Sequence, residues 1–466
     1  MKTDSSLDAA REYGLDKPIP ETSKRLRLLI STEFGSLKSV VKNLLIFFFS
    51  LYAVALTCSM AAMELLSWTT VLFTIIYLVI DLRSPTPALK MSKTGYGYFI
   101  SGFILIASLG VFINAPSANW VKDLGALRDF LLFFFFFYSL KIFGDVKRLL
   151  FIILICGSII SIYGIWQHYT GIDIWRHDHR ALMQVNWGSA AVYSTVGFFN
   201  HHLTYAYSYG MIICIAWAMI LAQKSKALPR KIALGLSFCL IAASIICTYG
   251  RGAWIALAIA LPVMTLITSR KKFFFIVVAL VITALGLSKI NPTFQERLKS
   301  VVSSDYGSNE VRKKLWDVNF QMFKDHPVIG VGYLENEPLS TLYYQKMNIL
   351  GGMAGHAHSN YFEFLSTGGA LGFISYMILI LLPLFTSLKV FFRIKDLQGD
   401  EAMWDRVIIL SAIGAQLVFN LGGLTQCTVC DSKVLHQFVL WLAISYFMGD
   451  KYKVLIPNNH PAGVAK

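Results

Sequence analysis

The sequence predicts an all-α polytopic membrane protein with about twelve transmembrane helices. Three observations carry that reading. First, 55% of the 466 residues are apolar and only 15% are charged, where soluble domains carry roughly 25% charge. Second, the mean hydropathy of +0.57 is concentrated in runs of about 20 residues, the length that crosses a hydrocarbon core. Third, the positive charge is distributed unevenly between the loops. This composition excludes a soluble enzyme, a disordered chain and a disulfide scaffold. The net charge of +15 signals nucleic acid only where the cations form a stripe on a soluble face. Here they lie between apolar runs and set topology instead.

The runs fall near 43–61, 64–80, 95–113, 124–142, 148–168, 204–222, 231–249, 253–268, 273–288, 368–388, 407–425 and 433–449. Arg270, Lys271 and Lys272 make a tight hairpin of the eighth and ninth. With the N-terminus inside, 28 of the 42 Lys and Arg lie on the inner side. Most outward-facing cations belong to one long loop, which the positive-inside rule ignores. Both termini are therefore expected in the cytoplasm. The first apolar run follows a 40-residue polar tail without a small-residue cleavage site, so no removable signal is expected. The organisation follows: a basic tail 1–42, helices one to nine over 43–288 with an outer loop 169–203, a large outer loop 289–367, helices ten to twelve over 368–449, and a tail 450–466. The basic stretch 22–42 reads first as a solvated topogenic tail, with an interfacial helix as the alternative.

The inner loops are short and hold neither a Walker loop nor a Gly-rich nucleotide fold. Nine of the ten histidines lie on or near the outer side; His460 is the exception. The chemistry is thus expected outside, driven by its own substrate. In the large loop, residues 309–325 read as a helix capped by Ser308 or Asn309, with Glu310 in the first turn. Val311, Leu315, Val318 and Met322 form its apolar stripe, and Arg312 and Trp316 lie on a flank. His326-Pro327 ends it. A flexible section over 335–355 is expected next. The phenylalanine-dense stretches 47–49, 133–137 and 273–275 read as lipid-facing bulk. The pairs His177/His179, His201/His202 and His356/His358 lack carboxylates at fixed spacing, so no metal site is expected. Cys427-x-x-Cys430 is either a local brace or two free thiols.

His358-Ser359, nine residues, then Gly369-Ala-Leu-Gly372 resembles the H-[N/S/Q]-x9-G-x-x-G pattern of the O-antigen ligase family. Thr248-Tyr-Gly-Arg251-Gly-Ala-Trp254 looks like an element that opens a span in the wider ligase and polymerase group. Asn309-Glu-Val-Arg312-x-x-x-Trp316 followed by Asp325-His-Pro-x-x-Gly330-x-Gly332 resembles its outer-loop signature, and Gly197-Phe-Phe-Asn200 a further element. The four occur in the family's order.

The resemblance implies a C-type glycosyltransferase in the bacterial inner membrane, acting at its periplasmic face. It implies an undecaprenyl-diphosphate-linked glycan donor, a lipid A–core acceptor, membrane lipids as surroundings, and no nucleic acid, nucleotide, metal or other cofactor. His358 is then the expected base, because a neutral imidazole can take the acceptor's proton. Arg251 and Arg312 are the expected partners of the leaving diphosphate. Arg128, His356, Asn200 and Trp316 are further binding candidates. Arg128 has a competing reading as an ion-pair partner of Asp129. A polymerase of the same group, a protein O-oligosaccharyltransferase and, from another class, a lipid-linked glycan transporter are the alternatives.

Overall fold

A computed structural model describes residues 21–83, 96–114, 124–175, 184–187, 190–222, 227–301, 303, 307–352 and 355–454. His177, His179, Arg176 and Arg180 lie outside them. The helices are α1 (Glu21–Cys58), α2 (Met60–Arg83), α3 (Tyr96–Asn114), α4 (Arg128–Phe143), α5 (Val146–Thr170), α6 (His202–Ala222), α7 (Leu228–Ile246), α8 (Arg251–Thr268), α9 (Arg270–Ile290), α10 (Pro292–Lys299), α11 (Gly307–Asp325), α12 (Asn336–Lys346), α13 (Asn360–Ile394), α14 (Asp400–Gly422) and α15 (Ser432–Lys451). The loop between α5 and α6 adds an antiparallel hairpin of β1 (Gln184–Trp187) and β2 (Ala190–Tyr193), a small departure from an all-helical chain.

Among the described residues, ten helices are long and apolar enough to cross a membrane. The chain is a polytopic membrane protein. Two further stretches read as spans are helices too, α4 and α15. The 16 residues of α4 extend about 24 Å at 1.5 Å per residue, short of a hydrocarbon core of roughly 30 Å. The two pack on each other, and α15 is buried along nearly its whole length. They belong to the interior, together with α6 and α14. By contrast, α9 buries no residue, and an all-round apolar surface of this kind suits lipid.

The structure corrects several expectations. The basic stretch 22–42 is not a separate interfacial helix; it continues unbroken into the first span as α1. The phenylalanines of 133–137 are not chiefly lipid-facing. Phe133, Phe136 and Phe137 are core residues, and Phe49 packs against Phe136 and Phe143. The 273–275 stretch behaves as expected, with Phe274 and Phe275 exposed, and 47–49 is divided, with Phe47 exposed and Phe49 buried. Clustered aromatic rings fill the centre because edge-to-face pairs pack well there. The section 335–355 contains a helix, α12, held by burial of Tyr343 and Tyr344 against Leu315, Val318 and Met322 of α11. That set includes the predicted stripe. Each such large side chain contributes roughly 1.5–3 kcal/mol on burial, which helps to order eleven residues that have few apolar positions of their own.

The helix α13 is 35 residues long, about 52 Å, too long for one span. It breaks at Gly369, whose φ of 59° and ψ of −158° are not helical. The segment after α11 docks into the break by its backbone. Val331 and Gly332 N–H groups donate to Ser366 and Thr367 carbonyls, and Ala370 and Leu371 N–H groups donate to Pro327 and Val328 carbonyls. A Cβ on Gly330 would lie 2.4 Å from the Thr367 carbonyl carbon, and one on Gly369 would lie 2.5 Å from that of Val328. Both glycines also have positive φ, so any side chain there meets backbone and strain together. The two glycine-bearing motifs are the two sides of one contact.

Candidate active site

The candidate site is a cavity of about 450 Å³ where the α5–α6, α12–α13 and α14–α15 connections meet. Asn200, His201, His356, His358, Gln426, Asp431 and Lys433 line it, with apolar contributions from Met60 and Phe199.

His358 occupies the turn before α13, at φ 47°, a left-handed conformation that a non-glycine residue adopts at a cost. Several contacts hold it there. Ala357 N–H donates to the buried Glu363 carboxylate at 2.8 Å. Trp316 Nε1–H donates to the Ala357 carbonyl at 3.0 Å, and its ring stacks on Phe362 at 5.2 Å. Asn360 bonds to Tyr376 and Thr428, and receives Val429 N–H, tying the 426–430 turn to the start of α13. That turn carries Gln426, whose Oε1 is 2.9 Å from His358 Nδ1. With the amide oxygen facing the ring, Nδ1 carries the proton and Nε2 keeps its lone pair. Burial, then the neighbouring His356 and Arg312, push the His358 pKa down to about 4 despite the Gln426 bond. The ring is therefore neutral at ordinary pH.

The His356 ring lies 4.3 Å from that of His358, nearly perpendicular to it. His201 is close to both His356 and Asp431, and burial holds its pKa below the usual imidazole value. Asp431 caps α15 by accepting from Lys433 and Val434 N–H groups, and also accepts from the Thr204 hydroxyl. Cys427 and Cys430 form a disulfide, so the brace holds and the free-thiol reading is corrected.

The two motif arginines have different surroundings. Arg251 opens α8 and is spent on the protein: Nη1 donates to the Ser300 carbonyl and hydroxyl at 2.6 and 2.8 Å, and Nη2 to Ser308 Oγ at 2.6 Å and Asn309 Oδ1 at 3.3 Å. Ser308 and Asn309 therefore serve Arg251 rather than capping a helix at 309; α11 begins at Gly307. Arg312, one turn on, is largely buried near Tyr207 and His358. Burial lowers its pKa, with Tyr207 opposing. It engages no hydrogen bond or ion pair among the described residues.

Of the predicted site residues, His356, His358 and Asn200 share the cavity; Arg312 does not line it, though its charge is felt at His358. Trp316 lines a neighbouring groove with Lys313, Asp317, Phe320 and Phe362 and supports the His358 turn from behind. Arg128 does not line the cavity; it pairs with Glu64 at 3.3 Å and Asp129 at 3.6 Å, as its competing reading expected. Sequence reasoning missed Gln426, Asp431 and Lys433. The only signal near them was the C-x-x-C pair.

Residues 236–377 match the family described as O-antigen ligase. The matched segment, less than a third of the chain, runs from α7 into α13 and contains Arg251, Arg312, Trp316, His356 and His358; Asn200 and Gln426 lie outside it. The match supports a place in the ligase and polymerase superfamily and a general enzyme role, and that family acts in general on a lipid-linked glycan and an acceptor. No curated protein matched the chain.

Proposed function

We propose that the protein is an O-antigen ligase that transfers a glycan from undecaprenyl diphosphate to a hydroxyl of the lipid A–core oligosaccharide. It does so at the periplasmic face of the bacterial inner membrane, with both termini cytoplasmic. The observation that supports this most is the His358–Gln426 pair: a half-buried imidazole fixed through Nδ1, neutral at ordinary pH, with Nε2 left for a proton.

The acceptor hydroxyl gives its proton to His358 Nε2 while its oxygen attacks the anomeric carbon. The bond from that carbon to the diphosphate oxygen breaks, and the electron pair leaves with the diphosphate. Direct displacement of this kind inverts the anomeric centre. The growing negative charge faces Arg312, a permanent cation already removed from bulk water. Arg251 is then a positioning residue, fixing the start of α11 so that Arg312 is held near His358. Trp316 positions the His358 turn, and Asn200 and His356 meet the sugars from the cavity wall. No nucleotide takes part, and no metal acts at the reacting atoms.

Purified protein given a polyprenyl-diphosphate glycan, with lipid A–core and a second lipid-linked glycan offered separately, tests the reading. Transfer to lipid A–core is expected. Transfer only onto the second lipid-linked glycan would make the enzyme a polymerase and overturn the ligase assignment.

A further inference from the structure

We propose that Glu64, Asp129 and His436 form a binding site for a divalent transition-metal ion, of which Zn2+ is the best fit, distinct from the cavity that holds His358. The site stands apart from the transfer reaction and does not depend on that reading.

The observation is a concentration of buried polar atoms without partners. Among the described residues, Tyr52 Oη, Asp129 Oδ1 and both ring nitrogens of His436 are buried and accept or donate no hydrogen bond. All four belong to one place. Oε1 of Glu64, Oδ1 of Asp129 and a ring nitrogen of His436 lie within 4.8 Å of one another, and the Tyr52 ring is 6.4 Å from that of His436. His436 is 0% exposed and Asp129 is 3% exposed. Buried polar groups are ordinarily satisfied, and a cluster that is not points to a missing ion or water.

Charge and distance choose between those. Two carboxylates face one arginine, Arg128, which is half-exposed. One guanidinium against two carboxylates leaves the cluster short of a cation, and charge removed from water is costly unless it is paired. His436 does not close the cluster by direct hydrogen bonds. Its Nε2 is 3.5 Å from Asp129 Oδ1 and 3.7 Å from Glu64 Oε1, beyond the usual 2.7–3.2 Å for N–H···O. Two ligand atoms bound at 2.0–2.1 Å to one tetrahedral ion stand about 3.4 Å apart. The observed spacings fit a shared ion better than a shared proton. Arg128 bonds to Oε2 of Glu64 and leaves Oε1 for the metal, the way an outer partner commonly orients a ligating carboxylate. One imidazole with two carboxylates favours a borderline ion over Mg2+ or Ca2+.

Such an ion would tie together the ends of α2, α4 and α15. Met60 and Lys433, which line the cavity, precede Glu64 and His436 by about one helical turn. The metal would therefore brace the cavity floor and would not touch the reacting atoms.

The test uses the full chain, free of any histidine tag, in detergent. It is equilibrated with Zn2+, passed over a weak chelator and analysed for metal. The expected result is about one zinc per chain in the wild type and at least tenfold less in His436→Gln and Asp129→Asn. Zinc should raise the melting temperature of the wild type and not of the variants. Absence of retained zinc in the wild type would overturn the proposal. So would equal retention by the variants, or loss of zinc in His356→Ala or His358→Ala instead. Should His436→Gln and Asp129→Asn fail to fold, X-ray absorption on the zinc-loaded wild type decides. One imidazole nitrogen with oxygen ligands at about 2.0–2.2 Å is expected, and two or more imidazoles would overturn it. Metal content is read without glycan transfer, so failure here leaves the ligase reading intact, and the reverse holds too.

Discussion

The two ends of the α11 connection contrast sharply. At Arg251 both terminal nitrogens are engaged internally, on Ser300, Ser308 and Asn309. At His358 the internal contacts stop at one ring nitrogen and leave the other toward the cavity. The arginine joins two helices, and the histidine is held by others so that its remaining valence is spare. A motif residue therefore tells that a position matters; the count of satisfied donors and acceptors tells whether it holds the protein or meets a substrate.

Substitutions can break that contrast. The largest effect is expected at the unspent end: His358→Ala should lower the transfer rate by about 10²–10⁴ with little change in melting temperature. A lipopolysaccharide gel with unchanged glycan capping would refute it. Arg312→Gln should follow, at about 10²–10³ in kcat, again in a folded protein. Gln426→Ala frees the His358 ring, and misplacement on the scale of 1 Å can remove up to about 10². Gln426→Glu should restore part of the rate, since a carboxylate also accepts from Nδ1–H. Arg251→Lys should act mainly on stability. Losing the forked hydrogen bonds costs roughly 1.5–3 kcal/mol, seen as a lower melting temperature, with a fall in kcat smaller than that of Gln426→Ala as Arg312 is held less firmly. The Cys427→Ser, Cys430→Ser pair should be mildest, since a loop this short contributes about 2 kcal/mol on chain-entropy grounds.

The pH profile sharpens the same comparison. Because the His358 pKa is pushed down to about 4, the base stays neutral on the alkaline side. The rate limited by its proton transfer should be flat through neutral pH and fall only as the pH drops toward about 4. A free imidazole would begin to lose activity near pH 6.5. A decline centred there would show that the ring is not held as described.

Much of this was legible in the sequence. The apolar runs marked helices, since length and hydropathy suffice for that. The stripe Val311, Leu315, Val318 and Met322 marked α11 and its buried face, because helical periodicity is local. The motifs marked His358 and Arg312. What escaped needed distance in the chain. Gln426 lies 68 residues from His358, in a turn with no pattern of its own. Glu64, Asp129 and His436 are single polar residues on three helices, and nothing local says that they meet. The phenylalanines of 133–137 were misjudged because a ring has the same hydropathy facing lipid or facing Tyr52 and Tyr96. The helix α12 was missed because its order comes from α11 rather than from itself.

The backbone joint at Gly330 and Gly369 has a consequence for inheritance. Each side of it is written in a different stretch of the gene, yet neither can be read alone, because each glycine makes room for the other strand's carbonyl group. A recombination event between codons 332 and 366 would hand an offspring chain one half of a lock and another parent's key. Such crossovers should therefore be survivable only where both parents keep both glycines, and the loop and the helix it enters should travel through a lineage as a single hereditary unit.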